Sequence, residues 1–246
     1  MNTTQNPKTT TLFAWIIVLL TSALPKIILQ EIFKVTVSPE MQAITSLSVI
    51  LLALLASIAW EPLRRLWPFL ILLAVLVGAQ WLVYNRLDTL PFYRTWLRNP
   101  SFNVFMLAEQ SLNLIVTLVM IAALFLMKKK RPDFYLVRGD IAAPVEPVSW
   151  MGVKPGERWK KFGLILTLCI SLGTLAFLVI AGRPPANIVI QALPFLPAIL
   201  LAAALNAFNE EVTYKAAFLS VLESPVGPRQ ALYMVAVNFG IWHFYG

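Results

Sequence analysis

The fold is decided by one long apolar stretch near the end of the chain, residues 188–222, which reads IVIQALPFLPAILLAAALNAFNEEVTYKAAFLSVL. A straight helix needs only about 20 apolar residues to cross the hydrocarbon core of a membrane, so this run exceeds one span. Because Pro194 and Pro197 lie near its start, we expect either a kinked helix or a short leading segment followed by a second helix. Glu210, Glu211 and Lys215 interrupt the run. Charge is costly at membrane depth, so these residues mark a candidate functional site.

The composition also indicates a membrane protein. Of 246 residues, 59% are hydrophobic and 13% are charged, against about 45–50% and about 25% in soluble domains. Seven apolar runs occur, at residues 12–29, 41–60, 66–84, 102–127, 162–181, 188–222 and 231–245. The first run is interpreted as a retained helix and not as a signal peptide, because only one basic residue, Lys8, precedes it. The sequence therefore predicts an all-α polytopic membrane helical bundle with about seven transmembrane helices, or eight if the sixth run divides.

A basic segment at residues 128–161 separates the first four runs from the last three. It carries nine basic and four acidic residues, and basic loops stay on the cytoplasmic side of a membrane. Counting spans outward from it, we expect the N-terminus to be cytoplasmic as well. Four prolines in the segment are typical of a linker. We therefore predict three regions: residues 1–127 with four transmembrane helices, a basic cytoplasmic linker at 128–161, and a functional core at 162–246.

Charge and cysteine usage narrow the function classes further. The formal net charge is +8, but the basic residues cluster beside apolar runs, which favours membrane topology over nucleic-acid binding. Cys169 is the single cysteine of the sequence, so no intramolecular disulfide can form. Since Cys169 lies within an apolar run, we interpret it as a packing residue.

The last two apolar runs bring the ionisable residues to one depth. Residues 223–228, ESPVGP, form a strong turn signal, so the flanking helices should form an antiparallel hairpin. At 1.5 Å of rise per residue, Glu211 and the chain's single histidine, His243, both lie roughly 20–25 Å from this turn. A carboxylate and the imidazole could therefore share a water molecule or a metal ion.

The two adjacent glutamates point to different neighbours. Glu211 and Lys215 are four residues apart on one helix face, in the order that favours an ion pair. Glu210 points about 100° away, toward Asn206 one turn earlier and toward Thr213 or Tyr214 one turn later. We therefore expect Glu211 to be a paired, supporting acid and Glu210 to be free to act as a general base.

Each of these residues also has a simpler interpretation. Glu211 and Lys215 can be a buried ion pair without a further role, and His243 can be a core histidine whose ring bonds a backbone carbonyl. Phe239 lies one turn before His243 and can be a packing residue. The three asparagines of this region can hydrogen-bond between helices, as amides often do in membrane bundles; they are Asn206, Asn209 and Asn238.

The pattern Glu-Glu-x-x-x-Lys followed by Phe-x-x-x-His resembles the CPBP intramembrane proteases, the family of CAAX prenyl proteases and bacteriocin-processing enzymes. The matching residues are Glu210, Glu211 and Lys215 in the first motif, and Phe239 and His243 in the second. The resemblance covers about residues 150–246. Lys215 stands where the family has arginine, so a point charge replaces a bidentate planar group.

The resemblance implies an enzyme that hydrolyses peptide bonds of a membrane-associated peptide or protein. Glu210 and His243 would activate the attacking water, either directly or together with a divalent metal such as zinc that they help to bind. Glu211, Lys215 and the neighbouring Phe239 and Asn206 would support the site. The expected partners are the lipid bilayer and the substrate, and the expected location is a bacterial-type plasma membrane.

The sequence departs from the family in one further respect. The family's third motif, His-x-x-x-Asn or His-x-x-x-Asp, has no match up to Gly246. We therefore expect a truncated and inactive form of such a protease, because loss of an oxyanion donor costs about 10²–10³ in rate. Two other classes stay open: a proton-coupled transporter, which would also use buried Glu and His, and a non-catalytic scaffold or immunity-type protein.

Overall fold

A computed structural model describes residues 7–98 and 100–245 of the chain. The described residues form helices, turns and loops and contain no β-strand. The helices are α1 Pro7–Thr21, α2 Leu24–Ile27, α3 Pro39–Ala59, α4 Glu61–Arg64, α5 Trp67–Leu82, α6 Pro91–Trp96, α7 Phe102–Leu126, α8 Trp159–Gly182, α9 Ala186–Ala192, α10 Leu196–Glu210, α11 Ala217–Val226 and α12 Pro228–Trp242. The predicted all-α membrane fold is therefore confirmed.

Long apolar helices account for the membrane character of the chain. Within the described residues, five helices are long and apolar enough to span a membrane: Pro39–Ala59, Trp67–Leu87, Phe102–Leu126, Trp159–Gly182 and Ala186–Val226. A sixth span is formed if Lys8–Thr21 and Leu24–Ile32, which meet at a 51° bend, cross together. The predicted count of about seven is not confirmed, because the run at 231–245 lies mostly in α12, which has only 15 residues.

The chain divides into two compact units. One contains residues up to Leu136 together with Pro197–Gly246, and the other contains Val137–Leu196. This grouping differs from the predicted boundary at residue 161, because α11 and α12 pack against α1, and α11 also packs against α5 and α7. The end of the chain and the N-terminal helices thus share one core.

The core of the first unit is built around α5. This helix packs against α3, α7 and α11, and seven of its residues are buried. Phe69 on α5 meets Phe218 on α11 edge to face, with ring centroids 5.8 Å apart, a favoured aromatic geometry. The largest fully buried apolar side chains of this core include Leu66, Leu70, Leu72, Met120, Leu124, Leu222 and Met234.

The predicted turn before α12 is present and short. Helix α11 ends at Val226, and Gly227 alone joins it to Pro228, the first residue of α12. Gly227 has φ +86°, a conformation that glycine adopts without steric cost. Pro228 suits a first helical position because its missing N–H would have no partner there. The two helices pack closely against each other, as the predicted hairpin requires.

The second unit contains α8, α9 and the loop that precedes them. Val148 and Val153 pair across a tight turn, and the backbone N–H of Trp159 donates to Ala143 O at 3.0 Å. Within the described chain, α8 buries none of its residues. Cys169 on α8 is exposed, so its interpretation as a packing residue is not confirmed.

Candidate functional site

The site is centred on an interruption of the helix that carries the glutamates. Helix α10 ends at Glu210, and Glu211–Ala216 follow as a π-helical segment before α11 begins. A π-helical turn accommodates an extra residue and rotates the side chains that follow it. Such segments occur often at functional sites.

Glu210 lies directly opposite the histidine. Its Oε1 is 3.5 Å from His243 Nε2 and accepts a hydrogen bond of 2.9 Å from Asn206 Nδ2. The prediction that a glutamate and His243 share one depth is confirmed, and the predicted hydrogen bond between Asn206 and Glu210 is present. The Glu210 side chain is 31% exposed, so the neighbouring residues leave space beside its carboxylate.

The imidazole of His243 is oriented by its own helix. His243 Nδ1 lies 2.8 Å from the backbone oxygen of Phe239, and a carbonyl oxygen can only accept a hydrogen bond. Nδ1 therefore carries a proton, and Nε2 faces Glu210. The interpretation of His243 as a residue whose ring bonds a backbone carbonyl is therefore correct for Nδ1. Nε2 faces the site.

Phe239 and Lys215 support this arrangement from the side. The Phe239 ring lies 4.2 Å from the imidazole, and Lys215 Nζ lies 5.0 Å from the Phe239 ring centroid, within range of a cation–π contact. Lys215 also pairs with Glu211 at 2.8 Å, which confirms the predicted ion pair. Other parts of the described protein leave the pair largely uncovered, since the Glu211 and Lys215 side chains are 64% and 38% exposed.

A buried polar network fixes the glutamate helix against α7. Thr117 Oγ1 lies 3.0 Å from Asn209 Oδ1 and 2.9 Å from Thr213 Oγ1, and Asn209 Nδ2 donates to Gln110 O at 3.3 Å. All three side chains of the Thr117 cluster are buried. The predicted interhelical role of Asn209 is confirmed. For Asn238, which is also buried, the described residues offer no hydrogen-bond partner.

The predicted contacts of Thr213 or Tyr214 with Glu210 are wrong. Thr213 bonds Thr117, and the Tyr214 hydroxyl accepts a 2.6 Å bond from Gln80 Nε2. The π-helical segment begins directly after Glu210 and shifts the residues behind it, so the regular helical spacing used in the prediction does not apply.

Glu210 and His243 line a cavity of about 190 Å³, which is large enough to hold water. Part of its wall comes from the N-terminal helices, through Gln80, Tyr84 and Asn113. The Tyr84 hydroxyl donates to Asn113 Oδ1. Sequence reasoning missed these three residues. Their signal was the presence of polar side chains within the apolar runs 66–84 and 102–127.

The donor set for a metal is incomplete among the described residues. Glu210 and His243 offer two ligand atoms, and residues 7–98 and 100–245 contain no group of three or more His, Cys, Asp or Glu side chains that could hold a metal ion. A catalytic zinc takes three protein ligands. The described residues therefore do not fit a catalytic zinc by themselves, and no chemical step below depends on one.

No family model, no curated protein and no solved structure matches this chain.

Proposed function

We propose that the protein is an intramembrane endopeptidase that hydrolyses a peptide bond of a membrane-associated substrate. The observation that carries the proposal is the contact between Glu210 Oε1 and His243 Nε2 in a cavity that can hold water. The resemblance of the two motifs to the CPBP proteases supports the same reaction class. The apolar helices around the cavity support a substrate that reaches it from the membrane.

The acceptor atoms of the pair favour a bound water. When the imidazole is neutral, His243 Nε2 accepts hydrogen bonds, as the Glu210 carboxylate does, so the two repel each other unless a donor lies beside both. A water molecule supplies two donors and satisfies both acceptors. Its oxygen lone pairs then face away from them, toward the open part of the cavity where a substrate carbonyl would lie.

The reaction follows from this arrangement. Glu210 takes one proton from the water while the water oxygen bonds to the carbonyl carbon of the substrate. The carboxyl group of Glu210 then gives that proton to the amide nitrogen as the C–N bond breaks. The products are a carboxylic acid and an amine, and Glu210 is again ionised. His243 holds the water and stabilises the positive charge that develops on it, and Asn206 orients the carboxylate of Glu210.

The decisive experiment compares Glu210→Gln with a matched control. Wild-type protein and variants are placed in phospholipid nanodiscs with a library of fluorogenic single-span peptides, and cleavage is read by fluorescence and mass spectrometry. Glu61→Gln is the control, because Glu61 is an exposed carboxylate at the start of α4. We expect Glu210→Gln to lower the rate at least about 100-fold, the lower end of what a general base contributes, and the control to leave it unchanged.

The same assay decides two further questions. Absence of cleavage by the wild-type chain, or full activity of Glu210→Gln, contradicts the proposal. The expectation of an inactive chain stays a prediction, and cleavage that depends on Glu210 contradicts it. Loss of activity with a chelator, restored by zinc, would add a metal to the mechanism.

Location and orientation complete the proposal. The positive charge of residues 128–161 supports a cytoplasmic position for this segment and for the N-terminus. We place the protein in a bacterial-type plasma membrane, where that charge bias orients helices. Proton-coupled uptake into vesicles, with no cleavage, would instead favour a transporter.

A further inference from the structure

The carbonyl oxygen of the substrate needs a hydrogen-bond donor that neither Glu210 nor His243 supplies. When the water oxygen bonds to the carbonyl carbon, negative charge develops on the carbonyl oxygen, and a donor aimed at that oxygen accelerates the reaction. Glu210 takes the proton of the water, and His243 holds the water. The donor has to come from another wall of the cavity.

One amide in the cavity wall has a nitrogen that is free to donate to a ligand. Among the described residues, four amide side chains line the cavity, and three of them donate from nitrogen to another group of the protein: Gln80, Asn206 and Asn209. The fourth amide belongs to Asn113. Its Nδ2 makes no hydrogen bond to a described residue, and the described residues leave part of its surface uncovered.

The Asn113 amide is held in one orientation. Its Oδ1 accepts a hydrogen bond from the Tyr84 hydroxyl, and both side chains line the cavity. Because the oxygen is engaged with Tyr84, the two N–H groups of the same amide are left for another acceptor. A donor that is fixed before the reaction stabilises developing charge without reorganising.

Asn113 lies on the face of α7 that packs against the glutamate helix. Thr117, one turn later on α7, bonds Asn209, and the backbone oxygen of Gln110, one turn earlier, accepts from Asn209 as well. Residues three and four apart share a helix face, so Asn113 lies between these two contacts. Asn113 and Glu210 therefore line one cavity from adjacent helices.

We propose that Asn113 is a catalytic residue that donates from Nδ2 to the oxyanion of the tetrahedral intermediate, an inference that rests on the proposed protease function. As the water adds, the π electrons of the carbonyl group move to its oxygen, and they return to the C=O bond as the C–N bond breaks. Asn113 exchanges no proton in either step. Tyr84 is a positioning residue that acts through Asn113. The oxyanion donor that the sequence motifs lack is thus supplied by α7.

The first test compares Asn113→Leu with a matched control in nanodiscs, using the peptide that the wild-type protein cleaves. Asn113→Leu removes both N–H groups and keeps a similar volume. Asn85→Leu is the control, because Asn85 is also partly buried, donates to Trp81 O at 3.1 Å and lies outside the lining of this cavity. We expect Asn113→Leu to lower kcat by about 10²–10³ and to change KM less than about threefold. Asn85→Leu should change neither.

Tyr84→Phe tests the positioning role. It leaves the Asn113 amide in place but removes the bond that orients it, so kcat should fall by about tenfold, less than for Asn113→Leu. In an Asn113→Leu background, Tyr84→Phe should have no further effect, because residues that act through one contact are not additive. Additive effects of the two variants would contradict a role of Tyr84 through Asn113.

Binding of two peptide analogues separates an oxyanion donor from a structural residue. A peptidyl trifluoromethyl ketone, which hydrates to a tetrahedral centre, mimics the intermediate, and a ketomethylene peptide mimics the uncleaved substrate. Asn113→Leu should weaken binding of the first at least about 100-fold and of the second less than about threefold, since the donor acts on the intermediate. Equal weakening of both analogues overturns the proposal. A selective loss of the ketone hydrate in Trp242→Phe, which removes an indole N–H from the same cavity wall, and not in Asn113→Leu would overturn it as well.

The same experiments distinguish failure of this inference from failure of the protease proposal. If the wild-type protein cleaves no peptide, or if Glu210→Gln leaves cleavage intact, the protease proposal fails and the role of Asn113 fails with it. If Glu210→Gln abolishes cleavage while Asn113→Leu behaves like Asn85→Leu, the protease stands and the assignment of Asn113 is wrong.

Discussion

The buried contact between α7 and the glutamate helix can be tested with Thr117→Val, which removes one oxygen atom and keeps the shape of the side chain. Thr117 Oγ1 has three neighbours within hydrogen-bond distance: Asn113 O at 3.0 Å, Asn209 Oδ1 at 3.0 Å and Thr213 Oγ1 at 2.9 Å. The hydroxyl has one proton and two lone pairs. It can therefore donate to Asn209 while it accepts from Thr213.

The loss in the free energy of unfolding that we expect for Thr117→Val depends on which of these hydrogen bonds join different helices. The hydroxyl has one proton, so while it donates to Asn209 it does not also donate to Asn113 O, which lies within its own helix α7. Only the bonds to Asn209 and Thr213 join different helices. Interhelical hydrogen bonds in membranes average about 0.6 kcal/mol each, so two of them give about 1.2 kcal/mol. The buried Asn209 oxygen left without this partner raises the cost, and we expect a total of about 1–2 kcal/mol.

Thr45→Val is the matched control for this measurement. Thr45 Oγ1 also bonds the backbone four residues earlier, at Met41 O with a distance of 2.8 Å, but it makes no bond to another helix. The free energy of unfolding in bilayers, measured by steric trapping, should fall by about 1–2 kcal/mol for Thr117→Val and by less than about 0.5 kcal/mol for Thr45→Val. In a double-mutant cycle, Thr117→Val and Asn209→Leu should be coupled. Equal costs for the two valine variants, or purely additive effects in the cycle, would refute the interhelical network.

Three further predictions concern the edges of the site and the loops. Lys215→Met leaves the Glu211 carboxylate without its partner inside an apolar, membrane-spanning helix, so stability, measured by the same trapping assay, should fall by about 2–3 kcal/mol; a cost below about 0.5 kcal/mol would contradict a position of the pair at membrane depth. The hydrogen bond from Tyr135 to Glu223 raises the pKa of the Tyr135 phenol from 10.0 to about 12. Because the folded-state pKa is the higher one, the contribution of this hydrogen bond to the free energy of unfolding is complete below about pH 10 and is lost as the pH rises toward 12. A difference titration of wild type against Tyr135→Phe should show a phenol that ionises near pH 12. Ionisation near pH 10 would contradict the bond. An epitope inserted after Ser149 should bind antibody in permeabilised cells and not in intact cells. Antibody binding to intact cells would contradict the proposed cytoplasmic position of residues 128–161.

Regular helix geometry predicts some contacts of the site correctly and others wrongly. The match in depth between Glu210 and His243 needs only a turn and a constant rise per residue, so it could be predicted from the sequence. The contacts of Thr213 and Tyr214 could not, because the π-helical segment after Glu210 changes the angular spacing. No local sequence signal predicted the π-helical segment Glu211–Ala216.

The exposure of Glu211 and Lys215 shows a second limit. Their i to i+4 spacing predicts that they meet, and they do. Spacing gives no information about whether another helix covers the pair. Burial depends on which distant segments pack there, and the described helices leave this pair uncovered, although the pair itself is present.

The sequence by itself determined that this protein is helical and built for a membrane, that Gly227 and Pro228 lie at the turn of a hairpin, and that a carboxylate and the imidazole lie at one depth. These properties follow from composition, local conformational preference and the fixed rise of a helix. Only the tertiary structure decided that Glu210 Oε1 comes within 3.5 Å of His243 Nε2 and that Gln80, Tyr84 and Asn113 complete the cavity. Those outcomes depend on how helices far apart in the chain rotate and pack, and their free energy is shared among many contacts that no short stretch of sequence contains.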